Sequence, residues 1–272
     1  MDNKKGFSSL ILKIIGIITM TLDHFGRMAK VFFVNQTMMV FSDIFIAIGR
    51  ISFPIFAFLI VEGVFHTSNK IRYLARLLFL SIFCDLVFYL ISKNYWGNPI
   101  TTLFLGALTI SLLESKKIWV KFTSIIPITL TILIAFEIIP LLSMYDLYGV
   151  ILIILFYLSH HLSKYFCGFI AKLYHLDYEF AYSKYSFTIR KYISCFFLLS
   201  CSILVWFINP TVKEVNIFID DPINQLYCLL SIPLIIFYNG EKGYSNKIIQ
   251  YTFYLYFPLH LAILYLLMSL IS

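Results

Sequence analysis

The residues best suited to acid–base chemistry in this chain lie inside long apolar stretches. They are Asp23, His24 and Arg27 in the first stretch, Arg50, Glu62 and His66 in the second, Asp146 at the start of a later one, and His260 in the last. A charged side chain inside a membrane helix costs about 2.5–3.5 kcal/mol on insertion scales, so it usually marks a function. Carboxylate, imidazole and guanidinium groups together suit proton transfer and the stabilisation of a developing negative charge.

The spacing of these residues predicts specific pairs. Asp23 and Arg27 are four residues apart, which puts both side chains on one helix face and favours an ion pair. His24 points about 100° away from Asp23, so we do not expect these neighbours to act as a dyad. Glu62 and His66 are also four residues apart, and a carboxylate beside an imidazole makes an acid–base couple. The same pair could supply two metal ligands, but no third ligand lies in register, and we predict no metal site.

The rise of a helix separates these groups by depth in the membrane. From the cytoplasmic edge outward, the predicted order is His66, Glu62, Arg50, His260, Asp23 and His24. A line of polar groups is therefore expected to cross the membrane. Structural roles explain some candidates equally well, since Asp146 fits a helix cap and His260 fits a core histidine with satisfied hydrogen bonds. Such roles explain four of the candidates poorly, because a charge at their depth is costly; these are Asp23, His24, Arg50 and Glu62.

The composition indicates an integral membrane protein. Of the 272 residues, 60% are hydrophobic and 13% are charged, whereas soluble domains carry about 25% charged residues. The formal net charge of +7 would fit a nucleic-acid partner. A mean hydropathy of +0.87 nevertheless excludes a soluble nucleic-acid binder, a disordered chain, a disulfide-stapled secreted domain and an ordinary cytosolic enzyme. The five cysteines contain no C-x-x-C pair, and we interpret them as small apolar residues of the interior.

Continuous apolar runs predict an all-α transmembrane bundle of about nine spans. The runs cover residues 9–29, 40–65, 72–92, 99–115, 123–141, 145–162, 192–209, 223–239 and 247–271, and the fourth and eighth are short. Transmembrane β-strands would alternate apolar and polar residues, which these runs do not. Asp23 and His24 interrupt the first run and no small-x-small cleavage site follows. The first run is therefore interpreted as a span and not as a signal peptide.

Lysine and arginine are concentrated in alternate loops, which predicts the orientation of the chain. The N-terminus is expected in the cytoplasm and, with nine spans, the C-terminus outside, in a multi-pass protein of the cytoplasmic (inner) membrane. No internal repeat or linker interrupts the chain, so residues 1–272 are predicted to form one domain. Residues 164–190, rich in Tyr, Phe and Lys, are expected to form a cytoplasmic interfacial segment. A cover over a nucleotide-type ligand is the alternative interpretation of that segment.

The segments that carry these residues resemble a known family. They are ITMTLDH (18–24), GRISFPIFAFL (49–59), VEG (61–63) followed by His66-Thr67, YLARL (73–77), TLFLG (102–106), YGV (148–150), YNGEKG (238–243) and YFPLHL (256–261). Together they resemble the TraX family of conjugal-transfer membrane proteins. The resemblance runs from residue 12 to about residue 265, and the combination of motifs is more specific than any one of them.

The resemblance implies acetyl transfer from acetyl-CoA, as co-substrate, to the N-terminal amine of a pilin-like peptide or to a similar amine or hydroxyl acceptor. Amine attack on a thioester needs a base, donors for the developing oxyanion and a dry site. Our hypothesis gives His24 the role of base. Arg50 then binds the thioester oxygen or a phosphate, and Asp23 holds Arg27 or Arg50 in place. Glu62 and His66 face the coenzyme A entrance. The remaining candidates for substrate or cofactor binding are Arg27, Asp146 and His260.

Two other classes of function fit the same residues. A proton-coupled transporter also keeps Asp, Glu, His and Arg inside the membrane, although this chain carries no inverted repeat. A structural subunit of a secretion or conjugation system would use the polar residues for helix packing. Acetyl transfer to an amine distinguishes an enzyme from a carrier, and tolerance of substitutions at His24 and Glu62 would indicate the structural role. In each case the expected surroundings are a lipid bilayer, without nucleic acid.

Overall fold

The computed structural model describes residues 5–33, 36–92, 98–136, 138–139, 145–208 and 225–271. The helices, in chain order, are α1 (Ser9–Phe32), α2 (Gln36–Gly49), α3 (Ser52–His66), α4 (Lys70–Ser92), α5 (Pro99–Leu113), α6 (Ile118–Phe122), α7 (Ile125–Ala135), α8 (Asp146–Leu173), α9 (Tyr178–Ile208), a 3₁₀ helix (Leu226–Ser231), α10 (Ile232–Ile236) and α11 (Lys247–Ile271). No strand forms within these ranges. The predicted all-α class is confirmed.

Within the described part of the chain, seven helical segments are long and apolar enough to cross a bilayer. They are Ser9–Phe32, Gln36–His66, Lys70–Leu90, Ile118–Ala135, Leu147–Leu173, Tyr178–Ile208 and Lys247–Leu270. The short fourth and eighth runs correspond to shorter apolar helices, Pro99–Leu113 and Leu226–Ile236. The fifth run is helical only to Ala135, and Glu137 within it lies outside the described residues. The prediction of a multi-pass helical protein is thus confirmed, whereas nine spans and a cytoplasmic N-terminus stay predictions.

The second apolar run does not form one continuous helix. Between α2 and α3, the backbone N–H groups of Arg50 and Ile51 bond to the carbonyls three residues earlier, at 3.3 and 3.2 Å, which tightens and ends α2. Pro54, three residues further on, has no N–H to donate to the carbonyl of Arg50, and its ring crowds that carbonyl. The sequence GRISFP therefore breaks the helix at Arg50, in the middle of a membrane span.

Helices α8 and α9 form a long antiparallel hairpin. Their 28 and 31 residues correspond to lengths of about 42 and 46 Å, which exceed a hydrocarbon core of about 30 Å. Residues 164–190, predicted as a cytoplasmic interfacial segment, continue these two helices around a short turn at residues 174–177; their interfacial position stays a prediction. The length of both helices has a local cause, because neither contains a proline that would stop it at the edge of the apolar run.

The main core lies between α3, α5, α8 and α9. Phe58, Phe156, Ile153 and Leu198 are among its buried members. Gly106 lets α5 approach α8 closely, since a Cβ at this position would lie 2.4 Å from the Ile153 side chain. The outward faces of the bundle are also apolar, with large exposed hydrophobic side chains along most helices. Apolar surfaces on both the inside and the outside are expected of a bundle whose solvent is lipid.

The residues before α1 are tied to the loop that follows α10. Phe7 and Tyr238 form an isolated parallel bridge, in which the Phe7 N–H donates to the carbonyl of Phe237 at 2.8 Å. The Ser9 hydroxyl donates to the carbonyl of Lys242 at 3.0 Å. These bonds hold the start of α1 against the loop 237–243. Asn239 and Gly240 of that loop line the same cavity as Glu62 and His66, at the C-terminal end of α3.

Candidate functional site

A group of polar side chains lies where α1, the α2–α3 break and α11 meet. This group, the histidine cluster, consists of Asp23, His24, Arg27, Arg50 and His260. All except Arg27 are buried. Helix α1 can approach the break because Gly49 has no side chain: a Cβ at that position would lie 2.2 Å from the Cβ of Asp23. The carboxylate of α1 therefore packs against the backbone immediately before Arg50.

The two histidines of the cluster are hydrogen-bonded to each other. His24 Nδ1 lies 2.8 Å from His260 Nε2, and His260 Nδ1 lies 2.9 Å from the carbonyl oxygen of Tyr256. A carbonyl can only accept, so His260 Nδ1 carries a proton and donates to it. In a neutral His260 the lone pair is then on Nε2, and His24 Nδ1 donates to it. The lone pair of a neutral His24 is consequently on Nε2, which leaves this nitrogen able to accept a proton.

Asp23 and Arg27 form the ion pair that their spacing predicts. Arg27 Nε donates to Asp23 Oδ2 at 2.7 Å. The other oxygen, Oδ1, is buried and accepts no hydrogen bond from the described residues. A buried carboxylate oxygen without a donor is costly. The arrangement therefore leaves an acceptor at the Gly49 junction that could orient a polar group of a substrate.

Arg50 is held at the helix break by a tyrosine that precedes α8. Tyr145 has a left-handed backbone, with φ of 95°, and its ring stacks on Phe53 at a centroid distance of 3.9 Å. The Tyr145 hydroxyl and the Arg50 guanidinium are hydrogen-bonded. Arg50 Nε has no partner among the described residues. Arg50 thus keeps a donor that is not engaged by those residues.

A second group of polar side chains lines a cavity of about 450 Å³ near the C-terminal end of α3, the Arg190 cavity. The cavity is lined by Glu62, Phe65, His66, His160, Ser163, Tyr182, Ser186, Phe187, Arg190, Asn239 and Gly240. Arg190 Nη2 lies 3.0 Å from Glu62 Oε1 and 3.1 Å from Oε2. Arg190 is 9% exposed and Glu62 is 6% exposed. Each of these buried charges is therefore neutralised by the other, as burial in a membrane protein requires.

Two imidazoles face the same cavity. His66 Nδ1 donates to the backbone carbonyl of Glu62 at 2.8 Å, so a neutral His66 carries its lone pair on Nε2. The His160 ring packs against Phe65 with centroids 3.8 Å apart. His160 Nδ1 is buried and has no hydrogen-bond partner among the described residues. The cavity thus combines an ion pair with two imidazoles whose hydrogen-bonding capacity is only partly used within the described chain.

The structure divides the predicted line of polar groups into two sites. Arg50 and Glu62 are twelve residues apart, which corresponds to about 18 Å along the axis of a helix. Large apolar side chains of the main core, including Phe58, lie on α3 between them. The predicted Glu62–His66 couple takes a different form, because the Glu62 carboxylate binds Arg190 and His66 Nδ1 donates to the Glu62 backbone carbonyl. A permanently charged guanidinium outcompetes a neutral imidazole for a carboxylate.

Asp146 opens α8, as expected of a residue at the start of a span. Its side chain lies outside what the structure describes, so its role as a binding residue stays a prediction. Where the chain is described, no three His, Cys, Asp or Glu side chains come together in a way that would hold a metal ion.

Sequence reasoning overlooked three of the residues that build these sites, namely Tyr145, His160 and Arg190. Arg190 is the last residue of the segment 164–190 that the sequence predicts to be interfacial. A signal for Arg190 was available, because Arg190, Ser194, Leu198, Cys201 and Val205 recur at helical spacing and are all buried. That pattern extends the buried face of α9 back to Arg190. No comparable local signal marks Tyr145 or His160.

The chain was compared with known proteins. A family model described as "TraX protein" matches residues 8–268. The "Probable fimbrial assembly protein FimC, serogroup H1" of Dichelobacter nodosus is 25% identical over 280 residues, which cover 97% of this chain and 97% of that protein. No solved structure matches the chain.

Proposed function

This chain belongs to the TraX family, and on that premise we propose that it is a membrane-embedded acetyltransferase that moves an acetyl group from acetyl-CoA to an amine. The relative from Dichelobacter nodosus is named a probable fimbrial assembly protein. We accordingly propose that the acceptor is the N-terminal amine of a pilin-like peptide, which would meet the enzyme at or within the membrane.

The hydrogen bond between His24 and His260 is the observation that carries this proposal. Transfer of an acetyl group to an amine needs a base with an available lone pair, held in one orientation and shielded from water. The bond at 2.8 Å from His24 Nδ1 to His260 Nε2, together with the bond from His260 Nδ1 to the Tyr256 carbonyl, fixes both the ring and the tautomer of His24. A base oriented by a second group is the usual arrangement for activating a nucleophile.

The proposed reaction uses the side chains of the histidine cluster in sequence. His24 Nε2 removes a proton from the attacking amine as the amine nitrogen bonds to the acetyl carbonyl carbon. Arg50 donates hydrogen bonds to the carbonyl oxygen, which becomes negative in the tetrahedral intermediate. When the carbon–sulfur bond breaks, His24 returns its proton to the departing thiolate. The products are the acetylated amine and the free thiol, so His24 ends in the state in which it began.

The acyl donor is proposed to enter through the Arg190 cavity, which Glu62 and His66 line. This end of the bundle also holds the start of α1 and the loop 237–243. Basic residues are concentrated in these segments, and the positive-inside rule predicts that they face the cytoplasm. Because the cavity and Arg50 are about 18 Å apart along α3, the arm of the donor must extend along α3 for its thioester to reach His24.

A direct test uses the purified protein in lipid nanodiscs with radiolabelled acetyl-CoA and a synthetic pilin-like peptide. We expect label on a peptide with a free N-terminus and none on the same peptide with a blocked N-terminus. His24→Ala should slow the reaction by about 10²- to 10⁴-fold, the usual contribution of a general base. His175→Asn is the matched control, because His175 is an exposed histidine in the α8–α9 turn. Folded wild-type protein that labels neither peptide would contradict the proposal.

A proton-coupled transporter is the second candidate, and the break at Arg50 is the observation that favours it. Discontinuous helices with titratable residues near the middle of the membrane are typical of transporter substrate sites. A proton-coupled transporter moves protons across the membrane, whereas the proposed acetyltransferase labels a peptide. Proteoliposomes that move protons in response to an imposed pH gradient, while the same preparation labels no peptide, would favour the transporter.

A further inference from the structure

The Arg190 cavity has the donors and the charge of an anion site. We propose that it binds the diphosphate of the acyl donor through Arg190, while Glu62 acts as the counter-ion that orients the guanidinium. This inference rests on the proposed function for the identity of the ligand. It assigns a positioning contact to a residue, Arg190, that lies well away from the reacting centre.

Arg190 is held in place while much of its donor capacity remains. Its Nη2 group contacts both oxygens of Glu62, and the guanidinium carbon lies 5.1 Å from the centre of the Phe187 ring. A guanidinium has five N–H donors in a fixed plane. Glu62 engages one of its three nitrogens, and Nε has no partner among the described residues. The side chain is thus fixed by a carboxylate and an aromatic ring, and Arg190 is one of the residues that line the cavity.

Other groups around the cavity also favour an anion. His160 Nδ1 lacks a partner within the described chain, and Lys164 is a charged neighbour of the same ring. Lys191 lies over the Phe187 ring at 4.9 Å. The cavity itself is lined by one carboxylate, that of Glu62. Glu62 is paired with Arg190, so Lys164 and Lys191 add positive charge near the cavity, which favours an anionic ligand.

The size of the cavity indicates a larger anion, such as a diphosphate, more than a small carboxylate. About 450 Å³ falls within the range of about 300–1,000 Å³ that is typical of cavities for drug-sized ligands. A planar guanidinium matches the oxygen spacing of a phosphate and can bind it through two parallel hydrogen bonds. The diphosphate of the acyl donor would lie at this end of α3, and its flexible arm would extend toward the histidine cluster.

Glu62 has two opposing effects on an anion bound in the Arg190 cavity. Glu62 orients Arg190, but its charge repels an incoming anion. In a Glu62→Gln variant the side-chain amide oxygen still accepts a hydrogen bond from Arg190, and the neutral amide no longer repels the ligand. Glu62→Gln should therefore bind the diphosphate more tightly, by several-fold, whereas loss of Arg190 should weaken it.

The test is calorimetric titration of the full-length protein in nanodiscs of zwitterionic lipid. The probes are coenzyme A, ADP as the diphosphate without the arm, and pantetheine as the arm without the diphosphate. We expect coenzyme A and ADP to bind, and Arg190→Gln to weaken both by about 10- to 150-fold, the loss expected for hydrogen bonds to a charged group. The affinities of Arg190→Lys should lie between those of wild type and Arg190→Gln, because lysine keeps the positive charge but cannot form two parallel hydrogen bonds to a phosphate. Arg72→Gln removes an exposed arginine beside α3 and should change neither affinity.

Several outcomes would overturn the inference. It fails if coenzyme A binds equally well to wild type and Arg190→Gln, or if ADP does not bind. If Arg190→Gln does not fold, the Glu62→Gln titration decides, and weaker binding of ADP to that variant overturns the proposal. Abolition of ADP binding in nanodiscs of anionic lipid would identify a lipid phosphate as the occupant instead. If the diphosphate binds through Arg190 but no acetyl transfer occurs, the proposed function is refuted and the anion site is retained. If acetyl transfer occurs but diphosphate binding does not depend on Arg190, the anion site is refuted and the proposed function is retained.

Discussion

Replacing His260 by leucine removes the acceptor of the His24 Nδ1–H and tests the tautomer argument directly. In the wild-type protein that N–H donates to His260 Nε2 at 2.8 Å. Without the acceptor a buried donor is left unsatisfied, at a cost of about 1–3 kcal/mol. His24 can avoid that cost by moving its proton to Nε2, which then no longer accepts a proton from the amine. A free-energy difference of this size corresponds to a loss of about 5- to 150-fold in the reactive form.

His260→Gln is the matched variant, since the glutamine side-chain oxygen can accept the same hydrogen bond. Initial rates of acetyl transfer should therefore fall by about 5- to 150-fold in kcat for His260→Leu, with much of the loss restored in His260→Gln. KM for acetyl-CoA should change little in either variant, because the Arg190 cavity lies at the other end of α3. Thermal unfolding of both variants shows whether the fold is retained.

The reasoning would be refuted if folded His260→Leu transferred acetyl groups at the wild-type rate. It would also be refuted if His260→Gln and His260→Leu lost activity equally, because the hydrogen bond to Nδ1 would then not be what matters. A change confined to KM would indicate that His260 contacts the substrate and does not orient His24.

Two further predictions concern packing and orientation. Gly49→Ala should destabilise the protein by about 1–3 kcal/mol, because its Cβ would lie 2.2 Å from the Cβ of Asp23. The control is Gly168→Ala, whose Cβ would meet its nearest neighbour at 3.9 Å and which should leave the thermal midpoint unchanged or raise it. Equal thermal midpoints for the two variants would count against close contact at the break. In intact cells a membrane-impermeant maleimide should label Ile138→Cys, whereas Lys116→Cys should react only after permeabilisation. The background should be low because the native cysteines are buried. The opposite labelling pattern would reverse the predicted orientation.

The two sites place different demands on the protein. In the histidine cluster the hydrogen-bonded imidazole pair is buried, together with Asp23 Oδ1 and Arg50 Nε, which have no partner among the described residues. Burial suits the reacting centre of a thioester that must not be hydrolysed. In the Arg190 cavity an ion pair is buried, and breaking it by removing one partner leaves an uncompensated charge that costs about 3–5 kcal/mol in proteins. For this reason the conservative Glu62→Gln and Arg190→Lys variants are more informative there than alanine.

The sequence alone was sufficient to identify the class of protein and most of the residues of interest. A membrane helix has to be apolar over about 20 residues, so hydropathy locates the helices, and a charged residue within them stands out whatever the fold. Local spacing likewise predicted the Asp23–Arg27 pair, because residues four apart in a helix are neighbours in any structure. The helix break at Arg50 could in principle be deduced in the same way from Pro54, since its cause is equally local.

Only the tertiary structure determined which of these groups meet. His24 pairs with His260, 236 residues away, and Glu62 pairs with Arg190, 128 residues away. Helix packing decides such pairs, and in lipid the outward and inward faces of a helix are both apolar, so periodicity does not reveal which face contacts which neighbour. The length of α8 and α9 was missed for a related reason, because backbone hydrogen bonding and packing of the hairpin continue both helices past the end of the apolar run that hydropathy can detect.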